Sequence, residues 1–239
     1  MVTTAILIDG SFFHKRYQRV YENAETHTPA EIADELFRMC LSHLNDKHEQ
    51  RRLYCIFYYD CPPYDKELEK PISGEGVLYS ETEQAHFKKE FFEELKRKRK
   101  IALRKGYLKE RNGWLLKPSV SQEFIENQGG GHKLTDDDFF YDLQQKNVDM
   151  KIGIDIASMV FKNAVNQIIL ISGDADFVPA AKLARREGID FILDPMWNSI
   201  HPDLFEHIDG LKSTCPNPFK EENNYNYQQE EVIEEYMNG

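Results

Sequence analysis

Four short runs of apolar residues mark the chain, at 5–8, 53–58, 168–171 and 191–193. Each is continuous rather than alternating and rich in β-branched or aromatic residues, the pattern of a strand buried on both faces. Between them the apolar spacing changes to the helical period over 11–23, 29–45, 83–100, 149–163 and 177–186, the last closed by Gly188 in the position that follows a helix. A fifth strand is expected near 101–103. Strands alternating with helices predict an α/β fold, a mostly parallel sheet with right-handed crossovers and helices on its faces.

Two stretches break the alternation. Residues 61–82 carry Pro62, Pro63, Pro71, Gly74 and Gly76, and residues 106–138 carry Gly113 and the Gly129-Gly130-Gly131 run, so both read as insertions on one domain. The triple glycine reads as a hinge, since neither a preceding strand nor a following Gly-Lys-Ser/Thr makes it a phosphate cradle. The domain is expected over 1–212, followed by a tail over 213–239. From 220 onward that tail has one Lys against six Glu, interleaved Asn and Gln, and no apolar period, the composition of a flexible acidic extension.

Composition narrows the class. The chain has 239 residues, 41% hydrophobic and 30% charged, enough for a buried core, with a net charge of −11. No apolar run approaches the roughly 20 residues of a spanning helix, and the start MVTTAILIDG lacks a basic leader, so a cytoplasmic protein without a membrane segment is expected. Cys40, Cys55, Cys61 and Cys215 show no zinc spacing and read as reduced thiols. Against the acidic background, residues 88–117 hold twelve Lys or Arg and four Glu. Within them Lys96, Arg97, Lys98, Arg99, Lys100, Arg104 and Lys105 form a stripe that suits a polyanion, or else a solvated helix face.

Ligands of an open parallel sheet bind beyond the carboxyl ends of its strands. That rule selects Asp9, in Asp9-Gly10-Ser11, and Asp174 with Asp176, in Ser172-Gly173-Asp174-Ala175-Asp176. Each has a plainer reading, Asp9 as a turn residue and Asp176 as a helix cap. If the two strands are neighbours, three carboxylates meet, a costly arrangement unless a cation neutralises them, and an all-oxygen set suits Mg²⁺ or Mn²⁺. On the helix over 149–163, Asp155 borders the apolar stripe and can face a crevice, while Asp149 sits at its start. The histidines form no HxH or HExxH pattern, and neither GxSxG nor GxGxxG occurs where a hydrolase or dinucleotide site needs it.

These residues resemble a family. LIDGSFFHKRY at the start, QKNVDMKIGIDIASM in the middle and ILISGDADFVPAAKLARREGIDFIL near the end are similar to the bacterial NYN domain family of PIN-like, metal-dependent ribonucleases. The resemblance implies a PIN-like (Rossmann-like) sheet with an acidic crevice that binds Mg²⁺ or Mn²⁺ and hydrolyses RNA phosphodiesters. Asp9 corresponds to the family's first-strand acid, Asp155 to its helix acid, Asp174 and Asp176 to the SGDxDF acids, and Asp149 to the acid of its VD pair. Gly10, Ser11, Lys146, Ser172 and Gly173 would support them. The basic stripe would hold single-stranded RNA, with Tyr107 and Trp114 as candidate stacking residues or packing residues. Many members have Asn where this chain has Phe12, and Lys-Gly-Val-Asp where it has Lys146-Asn147-Val148-Asp149; Asn tolerates the positive φ such a turn needs. A non-catalytic RNA-binding module of the same fold, and a nuclease or phosphohydrolase acting on DNA or nucleotides, remain as alternatives. A homo-oligomer is compatible with the sequence, which does not fix the state.

Overall fold

A computed structural model describes residues 1–47, 49–126 and 133–219. The Gly129-Gly130-Gly131 hinge and the acidic segment 220–239 lie outside the described residues. The strands are β1 (Val2–Asp9), β2 (Arg51–Asp60), β3 (Glu67–Glu69), β4 (Gly76–Leu78), β5 (Ile101–Lys105), β6 (Tyr107–Leu116), β7 (Phe139–Lys146), β8 (Gln167–Ile171), β9 (Asp190–Asp194) and β10 (Gly210–Leu211). The helices are α1 (Gly10–Val20), α2 (Pro29–Ser42), α3 (Glu83–Arg97), α4 (Pro118–Glu126), α5 (Val148–Phe161), α6 (Val178–Arg186) and α7 (Pro202–Phe205). Among them no helix is long and apolar enough to cross a membrane.

Six strands form one parallel sheet in the order β10-β9-β8-β1-β2-β5. Side chains alternate across it, so Ile6 and Ile8 of β1 face one layer while Ala5 and Leu7 face the other. The first layer packs Phe13 and Tyr17 of α1, Leu36 and Met39 of α2, and Phe91 and Leu95 of α3 against the sheet; the second packs Ile152 and Ile156 of α5 and Ala181 and Ala184 of α6. Each fully buried Leu, Ile or Phe contributes about 1.5–3 kcal/mol, which is why these continuous apolar runs decide the sheet.

Local chemistry sets the helix ends. Thr28 and Glu31 form a reciprocal cap at the start of α2, Thr28 N–H donating to Glu31 Oε2 at 2.8 Å and Glu31 N–H to Thr28 Oγ1 at 3.3 Å. Past α6, Gly188 takes a φ of 75°, the left-handed conformation that glycine adopts without a Cβ clash. The helix expected to reach residue 100 stops at Arg97, because Lys98 is extended and Lys100 has a φ of 64°.

The interrupting stretches have structure of their own. Both contain regular structure: β6 pairs antiparallel with β7 through a bulge between Glu110 and Gly113, and β3 pairs with β4. They leave from the carboxyl ends of β2 and β5 and pack on each other, with the Trp114 indole N–H donating to Glu69 O at 2.8 Å and the Ile72 N–H to Asp136 Oδ1 at 2.9 Å. A two-stranded ribbon covered on one side alternates exposed and half-buried residues, as β6 does from Tyr107 to Glu110. The proline and glycine punctuation of 61–82 hides this period.

Candidate active site

Strand order reverses direction of growth between β1 and β8: the chain adds β2 and β5 on one side, then β8, β9 and β10 on the other. At such a switch point the connections leave in opposite directions and open a crevice beyond the carboxyl ends. Asp9 closes β1 there. Its Oδ1 accepts from Ser11 N–H at 3.0 Å, Phe12 N–H at 3.1 Å and Ser11 Oγ at 2.9 Å, so the carboxylate also caps α1. Residue 10 is glycine because a Cβ would stand 2.6 Å from the Tyr58 hydroxyl and 2.8 Å from Tyr59 O. Beyond β8, the buried Ser172 hydroxyl accepts from Asp174 N–H at 3.3 Å, and Asp174 Oδ1 accepts from Asp176 N–H at 2.9 Å. Capping of the turn Ala175–Phe177 is therefore the work of Asp174, and the carboxylate of Asp176 is not its cap. A Cβ on Gly173 would lie 2.8 Å from the Phe12 ring and 3.4 Å from the Asn198 amide, so these two side chains wall that loop.

Helix α5 precedes β8 and runs against the strands, which puts its first turn at the crevice. Asn147, with a φ of 68°, makes the turn from β7 into it. The carboxyl of Asp149, a residue exposed overall, has its proton affinity raised by partial burial first and then by Asp9, Asp174 and Asp176. Burial likewise outweighs the three hydrogen bonds at Asp9 and raises its pKa, with Asp60 adding to the effect. Four of the five acids singled out in the sequence therefore share one electrostatic site.

Asp155 does not join them. It lies six residues further along α5 than Asp149, about 9 Å of helix rise and most of two turns, and is not among the charges that act on Asp149. There it accepts from the Tyr59 hydroxyl at 2.8 Å and from Arg104 Nε at 2.9 Å, a bond between helix and sheet. The border position on the apolar stripe thus reflects packing on β2 and β5.

Asp60, which the sequence reading did not single out, closes β2 as Asp9 closes β1, and the same strand-end rule finds it at Tyr58-Tyr59-Asp60. It is buried, and its Oδ1 accepts from Cys61 N–H at 2.6 Å, Lys88 Nζ at 2.8 Å and Gln145 Nε2 at 3.2 Å. Its other oxygen finds no hydrogen-bond partner among the described residues, nor does the buried Tyr58 hydroxyl, whose pKa burial and then Asp60 raise. His14, one turn into α1, is held down to about 4 by burial, against a smaller upward pull from Asp60.

The basic stripe is divided by the topology. Helix α3 starts at the carboxyl edge of the sheet and ends at the other edge, where Lys100 O accepts from Ile56 N–H at 2.8 Å. Lys96, Arg97, Lys98, Arg99 and Lys100 therefore lie before the amino end of β5, some 13 Å of strand below Lys105. Lys96 and Arg97 pair with Glu93 and Glu94 on their own helix, Lys98 pairs with Asp34, and Lys100 donates to Leu53 O. Arg104 belongs to Asp155 and lies 4.9 Å from the Phe57 ring centre. Only Lys105, with Lys88, Lys146 and Lys151 nearby in the fold, stands at the acidic end: Lys105 is level with Asp60 on β2, and Lys151 Nζ donates to Lys105 O at 2.7 Å.

The family model of the NYN domain matches residues 74–200, more than half of the chain. The chain belongs to the NYN domain family. That family has a PIN-like nuclease fold, and the parallel sheet with helices on both faces is its architecture here. The matched span contains Asp149, Asp155, Asp174 and Asp176, whereas Asp9 and Asp60 precede it. A crystal structure of a protein of unknown function from Vibrio parahaemolyticus RIMD 2210633 is similar over 89% of this chain and 92% of its own, at 14% identity and a TM-score of 0.42. No curated protein matches the chain.

Proposed function

We propose that this NYN-domain chain is a metal-dependent ribonuclease, hydrolysing phosphodiester bonds of single-stranded RNA at the crevice beyond β1 and β8. The observation that carries the reading is the gathering of Asp9, Asp149, Asp174 and Asp176 beyond the carboxyl ends of β1 and β8, where burial first and the other three charges after it raise the proton affinity of Asp149. Like charges gathered from three elements weaken a fold unless a cation is their purpose.

The donor set fits Mg²⁺ or Mn²⁺. It is all oxygen, and the free buried oxygen of Asp60 adds an acceptor beside Asp9. Among the described residues no three His, Cys, Asp or Glu side chains form a ready-made cage. Asp9, Asp149, Asp174 and Asp176 would hold the ion, which when bound lowers the pKa of a water and offsets charge on the leaving oxygen. The chain's own part is to hold these carboxylates in place: Ser11 and Phe12 fix Asp9, and Ser172 fixes the turn that carries Asp174. Lys105, Lys146 and Lys151 stand where the phosphate backbone would approach, and the reaction needs no side-chain nucleophile.

Labelled single-stranded RNA and a matched DNA strand, incubated with Mn²⁺ or with chelator, test the reading. RNA cleavage by the wild type that is lost with chelator and in Asp174→Asn is the expected result. Equal cleavage by Asp174→Asn would overturn it; RNA bound but never cut would make the chain a binding module, and equal cleavage of DNA would widen the substrate class.

A further inference from the structure

The chain runs directly from two strand ends of the crevice into a cleft of about 500 Å³. Its walls begin with Pro62, two residues past Asp60, and Tyr107, two residues past Lys105, and continue with Pro63, Tyr64, Lys66 and Lys109. The two strand ends are tied together by Gly106 N–H donating to Asp60 O at 2.9 Å, so cleft and acids share one rigid edge. The floor is fixed as well. Glu110 accepts from Lys66 Nζ at 2.6 Å, from the Tyr141 hydroxyl at 3.0 Å and from the Tyr64 hydroxyl, and these donors hold its carboxyl down at about 2.

Two aromatic residues of β6 behave differently. Trp114 is consumed by packing: its N–H is bonded to Glu69 O and its ring meets Tyr141 edge-on at 5.3 Å. Tyr107 is 49% exposed and touches no other ring among the described residues. Lys109 follows on the same face of the strand, two residues on, with no ion pair among the described residues. An exposed aromatic ring, two prolines and an ammonium without an ion pair among the described residues line this one cleft and match an unstacked base followed by its phosphate.

We infer that this cleft binds one unpaired base of the RNA strand whose backbone lies in the acidic crevice, the base lying against Tyr107 and Lys109 holding the next phosphate. The inference rests on the ribonuclease reading and makes the ribbon of β6 and β7, rather than the stripe at 96–100, the arm that grips substrate.

The test is binding of a labelled single-stranded RNA in chelator, read by fluorescence anisotropy, together with Mn²⁺-dependent cleavage. Tyr107→Ala should weaken binding roughly 5- to 160-fold, the range of one lost base stack, while Tyr107→Phe keeps it. Lys109→Ala should make the slope of log affinity against log salt shallower by about 0.7, and Arg97→Ala with Arg99→Ala should leave it unchanged. Cleavage at saturating RNA should persist in all of them, with an unaltered melting temperature confirming that an exposed Tyr107 is not structural. Wild-type affinity in Tyr107→Ala, while the wild type binds and cuts RNA, would overturn the inference and leave the ribonuclease reading standing. A wild type that neither binds nor cuts RNA would remove that reading, and the inference with it.

Discussion

Two acids on one helix, Asp149 and Asp155, should respond oppositely to conversion into amides. Asp149→Asn removes a charge that burial and Asp9, Asp174 and Asp176 already oppose, so the metal-free chain should melt at the same or a higher temperature. Cleavage should collapse. A catalytic cation supplies several kcal/mol of transition-state stabilisation, and losing about 3 kcal/mol slows the reaction by roughly 100-fold. Asp155→Asn acts on packing instead. The Tyr59 hydroxyl and Arg104 Nε converge on Asp155 Oδ2 at 2.8 and 2.9 Å, and the Tyr59 residue is fully buried. A buried hydroxyl left poorly paired costs about 1–3 kcal/mol. The ion pair adds about 0–1 kcal/mol, since the Arg104 side chain is 41% exposed. At about 2–4 °C per kcal/mol for a chain of this size, the melting temperature should fall by about 2–16 °C with cleavage retained at temperatures below the melt. Thermal melts in chelator and cleavage of labelled RNA at 25 °C, run side by side, separate the two. An inactive Asp155→Asn with an unchanged melt, or a fully active Asp149→Asn, would refute the assignment.

Stability should also report the titration of His14. Its folded pKa of about 4 lies below the ordinary 6.5, so the unfolded chain binds the proton first and stability is lost as pH falls from about 6.5 to about 4, by roughly 3 kcal/mol. His14→Phe, packing on Phe91 and Tyr58, should flatten melting temperature against pH in that window, and an unchanged slope would count against it. Asp149 has the opposite sign: a raised carboxyl contributes folded-state stability that is lost as pH rises through its folded pKa, so Asp149→Asn should remove that component. Mg²⁺ or Mn²⁺ should raise the melting temperature of the wild type, by about 2.7 kcal/mol of stability at 100 times its dissociation constant, and raise it far less in Asp149→Asn or Asp174→Asn; equal rises would place the ion elsewhere.

Continuous apolar runs and their spacing determine the parallel sheet by themselves, because a strand buried on both faces has no polar alternative to fill. The strand-end rule likewise marks Asp9 and Asp174 without any coordinates, since a carboxylate leaving a parallel strand has only the crevice to enter. Tertiary structure decided everything that depends on which way an element runs. Asp149 and Asp155 are equally acidic and six residues apart, but Asp149 feels the charges of Asp9, Asp174 and Asp176, whereas Asp155 is bonded to Tyr59 and Arg104. The direction of α3 carries five cations of the basic stripe to the far edge, where local glutamates, Asp34 and a backbone carbonyl occupy four of them. Residues 61–82 and 106–138 read only as insertions, their strands unmarked, because each segment packs on the other, a partner remote in sequence. Charge composition is a property of the chain, whereas the place where a charge acts is set by long-range packing.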